Sequence, residues 1–299
     1  MPNSCEGRVA LVTGASQGGT GTGTAIRLAA EGANVAICAR TEEKLVQTMA
    51  EIEAVGGTGA MFVCDLSEPD GGRDTLVARA EAALSAPIDI LVNVAAMGPY
   101  KKFEDIDLPL LQKTFELNVK APWLLCQHVL GGMRAQSRGA IVNIGTRAAE
   151  YPVGPPYRSG VTAQAGTLYG STKMAEHRFT LGLAAETHGQ GISVNMVSPV
   201  SAIATPNLVA AGWLPDWVFE PVETMVEAVL ACVTGDPDVL TGRNAYSLEL
   251  LHELRRPVYD FRGTTLVEGW QPDDLPPLIE ERSRPADAQL GTYSQRATG

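Results

Sequence analysis

Short apolar runs recur along the chain: "RVALVTG", "NVAICAR", "GAMFVCDL", "IDILVNVA", "GAIVNIGT" and "ISVNMVSP", each rich in Val, Ile or Leu with little alternation. Continuous runs of this kind belong to strands covered on both faces, as in a parallel sheet. Between them, segments of helical character lie at residues 21–32, 42–55, 73–85, 109–137 and 168–188. Strand then helix, repeated, predicts an α/β doubly wound parallel sheet with helices on both faces and right-handed crossovers. A helix at about 221–233 followed by "TGRNAYSLEL" predicts a seventh strand.

Two segments break the alternation. Residues 147–167 hold three prolines and three glycines, and the stretch after residue 253 holds prolines at 257, 272, 276, 277 and 285. Both read as loops or extensions, and loops at strand ends are where binding usually sits. The expected organisation is one unit over residues 1–252, with a Pro-rich extension over 253–299.

Composition narrows the partners. A chain of 299 residues with 45% apolar residues can bury a sizeable core. Its net charge of −11 opposes phosphate backbones and anionic membranes, so neither nucleic acid nor membrane is an expected partner. Five cysteines without CxxC spacing and four histidines suggest no disulfide framework and no metal site. No leader-like start and no apolar stretch of about 20 residues is visible, so the expected location is cytoplasmic.

The first strand-to-helix turn, "TGASQGGTGTG", carries Gly14, Gly18, Gly19, Gly21 and Gly23. At the carboxyl end of a parallel strand, such glycines let the backbone approach a phosphate, and the following helix attracts its charge. The alternative is a plain flexible turn. At the end of the second strand, Ala39 and Arg40 stand where a 2'-hydroxyl reader would be acidic; a small residue and a cation suit a 2'-phosphate, which favours NADP over NAD. Arg40 also reads as an ordinary solvated arginine. In "LYGSTK", Tyr169 and Lys173 lie four apart on one helical face. A lysine ammonium beside a phenol stabilises the phenolate, so Tyr169 could exchange a proton with a carbonyl or alcohol oxygen.

In "TGAS", "CDL", "LVNVAA", "LNV", "IVNIGT", "YGSTK" and "VNMVSP", taken in order, the chain resembles the short-chain dehydrogenase/reductase family over about residues 7–250. The resemblance implies a Rossmann-type sheet and hydride exchange between a nicotinamide cofactor and a carbonyl/alcohol substrate. It implies Tyr169 as general acid/base, Lys173 on the nicotinamide ribose and lowering the tyrosine pKa, and Asn118 holding a water of the proton relay. Gly14, Ser16, Gly19, Thr20 and Gly21 would line the cofactor, with Asp65 and Leu66 at the adenine. Asn93 would steady the sheet near the cofactor, and Pro199, Ile203 and Thr205 would stand at the nicotinamide end. Asn118 and Asp65 have plain readings too, as a tolerated helical polar residue and a strand-end cap. Family members are commonly homodimers or homotetramers.

The departures are local. Gly19, Thr20 and Gly21 best match the family's Gly-x-Gly, with one residue too many after Gly14. Ala96 and Val200 replace glycines. The usual catalytic serine falls on Thr146, with Ser159, Thr162 or Thr167 of the insertion as alternatives. Residues 200–220 occupy the place of a substrate loop. There Trp213, Trp217 and Phe219, with Met97, Tyr100, Tyr151 and Tyr157 nearby, could line a hydrophobic pocket or simply pack. A non-catalytic nucleotide-binding sensor or oligomer partner and an epimerase or dehydratase are the competing readings.

Overall fold

Every side chain of β1 (Val9–Thr13) is buried, with Val9 and Leu11 facing one core cluster and Ala10 and Val12 the other. β2 (Asn34–Ala39) repeats the pattern: Val35 and Ile37 pack on one side, Ala36 and Cys38 on the other. Side chains alternate across a strand, so an unbroken apolar run needs apolar cover on both faces. This is why the chain's strands lack polar alternation. The computed structural model describes residues 3–16, 18–152, 154–155, 157, 165–212 and 214–283.

With β3 (Thr58–Val63), β4 (Ile90–Asn93), β5 (Gly139–Ile144), β6 (Ile192–Ser198) and β9 (Asn244–Tyr246), these strands form a seven-stranded parallel sheet in the order β3-β2-β1-β4-β5-β6-β9. A separate two-stranded ribbon joins β7 (Ala202–Ile203) to β8 (Phe219–Glu220). One face is covered by α1 (Thr20–Ala30), α2 (Glu42–Ala54), α8 (Val222–Thr234) and α9 (Ser247–Glu253); the other carries α3 (Leu76–Leu84), α5 (Ala121–Gln136) and α6 (Thr167–Thr187). α4 (Leu108–Phe115) runs into α5 through one π-helical turn, Glu116–Lys120, and the short α7 (Pro206–Ala211) follows β7.

The seventh strand is shorter than its sequence suggested. Only Asn244–Tyr246 pairs with β6, and the following "SLEL" turns into α9. Ser247 sits at that junction with its hydroxyl on the carboxylate of Glu220 (2.8 Å), while Leu248, Leu250 and Leu251 are buried. A side chain bonded into the ribbon at the end of β9 ends the strand there.

Beyond α9, the chain folds back over the α1/α8 face. A Cβ on Gly23 would stand 2.7 Å from the Phe261 ring, and Val267, Trp270, Leu278 and Ile279 pack on the same cluster. The segment ends in α10 (Leu275–Ser283). Among the described residues, no helix is long and apolar enough to cross a membrane.

Candidate active site

The strand order reverses between β1 and β4, and a crevice opens at such a point outside the carboxyl ends of the strands. Gly14 closes β1 at φ +68°, and a Cβ there would stand 3.0 Å from the Ala95 nitrogen, so the two strand ends meet backbone to backbone. Thr13, which the sequence reading left out, ties them together: its hydroxyl accepts from Val94 N (2.9 Å) and Ala95 N (3.1 Å).

The glycine turn follows. α1 starts at Thr20, with Gly19 as a cap that makes no side-chain bond and with no acid in the first turn. Its positive end therefore faces the crevice without a carboxylate to neutralise it. A Cβ on Gly21 would stand 2.5 Å from Gly14 O, so Gly21 is the glycine that lets the helix pack onto the strand. Gly18, at φ +67°, takes up the extra residue of the turn and donates to the Thr22 hydroxyl at 3.2 Å. Ser16 and Thr20 are buried beside it.

The other side of the turn is met by the segment just after β7. A Cβ on Gly19 would lie 3.2 Å from Thr205 Cγ2, and one on Gly18 3.4 Å from Pro206 Cγ. Ile203 is buried in β7, and Pro199 is half-buried just after β6. Ala96 and Val200, where glycines were expected, are not among the residues at positive φ, so neither position needs a glycine for its dihedrals.

At the far end, Arg40 is exposed after β2 and acts on Asp65. Burial opposes charge on Asp65, but the Ser67 hydroxyl (2.6 Å) and N–H (3.0 Å), with Lys113 and Arg40, hold its carboxyl below the usual range. Asp65 thus acts as the strand-end cap. Leu66 beside it is buried, and its carbonyl accepts from Arg73 at 3.1 Å.

Behind the crevice, polar side chains bind the elements to one another. Asn93 donates to Asn143 Oδ1 (2.8 Å), which in turn donates to Thr180 (2.8 Å), so Asn93 holds β4 to β5 and α6. Asn118, in the π-helical turn, accepts from Met97 N (2.9 Å) and donates to Met97 O (2.8 Å) and to the Thr172 hydroxyl (3.0 Å). Both of its N–H groups are spent inside the protein, so its side chain fixes the β4 loop against α6. π-bulges recur at functional sites.

Tyr169 and Thr146 are brought together. Thr146, two residues beyond β5, caps the short turn Arg147–Ala149 through Ala148 N (3.2 Å), and its hydroxyl is close enough to the Tyr169 phenol to favour the phenolate. Gly170 makes this possible: a Cβ there would stand 2.4 Å from Ala148 O. Among the alternatives, Thr167 is exposed at the start of α6, whereas Ser159 and Thr162 lie outside the described residues, as does Trp213.

Lys173 occupies a different setting from the expected one. Its ammonium donates to Ile144 O (2.8 Å) and to Glu176 Oε2 (2.7 Å). The Tyr169 phenol is pushed up to about 12, by burial first and then by the Glu176 charge, against the Thr146 hydrogen bond. The expected lowering is not found in this arrangement. The acid responsible, three residues after Lys173, escaped the sequence reading; a charge pair at i, i+3 was the available signal.

Around the phenol, the Tyr100 ring stands edge-on to Tyr169, 5.9 Å between centroids. Trp217 and Phe219 are half-buried, whereas Tyr151 and Tyr157 are largely exposed. The segment 200–220 is anchored from a distance: Arg282 donates to Trp217 O (3.0 Å) and stacks on Trp270 (5.0 Å), while Arg147 donates to Val200 O (3.2 Å) and Arg282 O (3.4 Å). Among the described residues, no group of three His, Cys, Asp or Glu side chains is arranged to hold a metal.

Known proteins carry the same frame. The sequence profile described as short chain dehydrogenase matches residues 8–211. A short chain dehydrogenase of Pseudocercospora fijiensis is 36% identical over 66% of this chain and 60% of its own length, so the match spans less than two thirds of that relative. A rhamnolipid-biosynthesis 3-oxoacyl-[acyl-carrier-protein] reductase of Pseudomonas aeruginosa is 34% identical over 66% of this chain and 73% of its own. Among solved structures, a metagenomic short-chain oxidoreductase in complex with NADP is similar at 28% identity, covering 81% of this chain and 96% of that one, with a TM-score of 0.66.

Proposed function

The chain belongs to the short-chain dehydrogenase/reductase family, and on that premise we propose that it is an NADP-dependent oxidoreductase in which Tyr169 exchanges a proton with a carbonyl or alcohol oxygen. The observation that carries this reading is the pairing of the Tyr169 phenol with the Thr146 hydroxyl, one helical turn from Lys173.

The residues at the crevice suit a dinucleotide. Gly14 and Gly21 let the ends of β1 and β4 and the start of α1 close up backbone to backbone, and that start offers N–H groups free of any acidic neighbour in its first turn. Ser16, Gly19 and Thr20 lie at this turn. Arg40 would take a 2'-phosphate, with Asp65 and Leu66 at the adenine end. Pro199, Ile203 and Thr205 would face the nicotinamide, with Asn93 and Asn118 fixing the wall behind. Bound there, the nicotinamide supplies a hydride donor or acceptor.

The protein's own part is proton handling and positioning. Thr146 would hold the substrate oxygen beside the phenol by turning its single hydroxyl proton from Tyr169 to that oxygen. A phenol pushed up to about 12 is protonated at neutral pH, which suits donation to a carbonyl oxygen as it gains charge. The substrate is a small molecule with a carbonyl or hydroxyl group, and Tyr100, Trp217 and Phe219 favour a hydrophobic one. Residues 1–252 would form the catalytic unit, with the segment from 253 supporting its substrate loop.

Turnover of NADPH against a panel of aldehydes and ketones tests the reading. Tyr169→Phe should abolish it while NADPH binding persists; full activity in that variant would remove Tyr169 from its role.

The assembly proposed is a homodimer or homotetramer. Phe115 and Trp123 are 40% and 47% exposed on α4 and α5, and Leu181 on α6 is 39% exposed. Exposed apolar side chains on these three helices suit burial against a second copy.

A further inference from the structure

Glu176 is a buried acid that the proton transfer just described does not use. It follows Lys173 by three residues on α6; ammonium and carboxylate are 2.7 Å apart, and both side chains are 2% exposed. The groups around the pair come from several elements. α6 itself contributes Tyr169 and His177, and α5 contributes Cys126, whose thiol is pushed up by burial and by the Glu176 charge. Glu150, after the Arg147 turn, and Lys173 both act on His177. Thr146 and Tyr100 meet the Tyr169 ring from the β5 end and the β4 loop.

Lys173 is the cation in this set that could stabilise a Tyr169 phenolate. A carboxylate in contact with it opposes its field at the phenol. We propose that Glu176 is a positioning residue for Lys173, whose carboxylate holds and neutralises the ammonium and thereby sets how readily Tyr169 gives up its proton. The inference rests on Tyr169 being the acid/base. Ionised, Glu176 opposes the phenolate; protonated, it leaves the lysine charge uncancelled and favours it. Burial pushes the Glu176 carboxyl up against the pull of Lys173, so the protonated form is brought closer to reach than for a surface acid.

Ultraviolet titration of tyrosinate, with no nucleotide added, reads this directly. The chain has seven tyrosines, so each protein is compared with its Tyr169→Phe counterpart to isolate one phenol. Glu176→Gln keeps an oxygen for the lysine but loses the charge, and Tyr169 should titrate lower by about one unit or more, a tenfold gain in phenolate at a given pH. Adding Lys173→Met should erase that gain. An unchanged Tyr169 titration in folded Glu176→Gln overturns the proposal, and so does a gain that survives Lys173→Met, because Glu176 would then act on the phenol directly. Should Glu176→Gln fail to fold by circular dichroism, Glu176→Asp withdraws the charge by one methylene; a smaller downward shift supports the proposal and none overturns it. Turnover in Tyr169→Phe tests the acid/base assignment separately, so the two ideas fail independently.

Discussion

Gly170 and the Ala148 carbonyl are so close that a methyl group on the glycine would stand 2.4 Å from the oxygen, which makes Gly170 the contact that sets Tyr169 against Thr146. Backbone cannot yield as a flexible side chain does. Gly170→Ala should therefore move α6 off the Arg147 turn, at a cost of about 1–3 kcal/mol in stability, and should depress kcat more than NADPH affinity. Thermal unfolding and steady-state kinetics check both. Thr146→Ser should keep activity and Thr146→Ala lose roughly tenfold, the value of one hydrogen bond of about 1.4 kcal/mol.

Arg40 is exposed at the end of β2, within electrostatic reach of Asp65. If it reads a 2'-phosphate, Arg40→Ala removes a charge-assisted bond of about 1.5–3 kcal/mol, weakening NADPH binding roughly 10- to 100-fold. NADH binding should hardly change. Calorimetric titration with both nucleotides distinguishes this from a general loss of affinity.

His177 gives the fold a pH dependence. Burial first, then Lys173, pushes its imidazole down to about 4 from a usual 6.5, with Glu150 opposing. Between these values the unfolded chain binds a proton that the native one refuses, so stability contributed by neutral His177 is full above pH 6.5 and falls away as the pH drops toward 4. At pH 5 the loss amounts to about 2 kcal/mol. His177→Gln should flatten this limb of the Tm against pH curve; an identical slope would assign the loss to other groups.

Trp123 packs edge-on against Phe179, 5.3 Å between centroids, yet stays 47% exposed. Trp123→Glu should convert the proposed oligomer into monomers in sedimentation experiments while leaving the secondary structure intact. A monomeric wild type would remove the basis for this face.

Much of the frame was legible because it rests on periodicity. Strands such as β1 and β5 are buried on both sides, and that alone forbids polar alternation, so the sheet could be read from runs of Val and Ile. The glycine turn was legible in part: Gly19-Thr20-Gly21 falls at the start of α1, with Gly21 pressed on Gly14, but the left-handed turn at Gly18 that absorbs the extra residue depends on three-dimensional closure. The strand expected over "TGRNAYSLEL" ended early because Ser247 is bonded to Glu220, a residue of the distant ribbon.

The Lys173 setting was hidden for a related reason. Sequence spacing places Glu176 and Lys173 on one helical face, but an exposed pair and a buried one look alike in a string of letters. Only burial gives the carboxylate enough weight to compete with the phenol for the lysine. Likewise, the hydrogen bonds of Asn93 and Asn118 run to Asn143, Met97 and Thr172 within the protein, partners that no spacing of letters identifies.

Arg282, holding the Trp217 carbonyl and stacked on Trp270, has a consequence for the order in which the site is made. During synthesis the chain emerges from its amino end, and the strands through β9 can assemble before Arg282 has been added. The segment 200–220, by contrast, must wait for that late residue to gain its anchor. A ribosome-bound chain stalled before Arg282 would already contain the glycine turn and α6 while the segment 200–220 stood unbraced, so the dinucleotide side of the proposed site would be complete before its proposed substrate side.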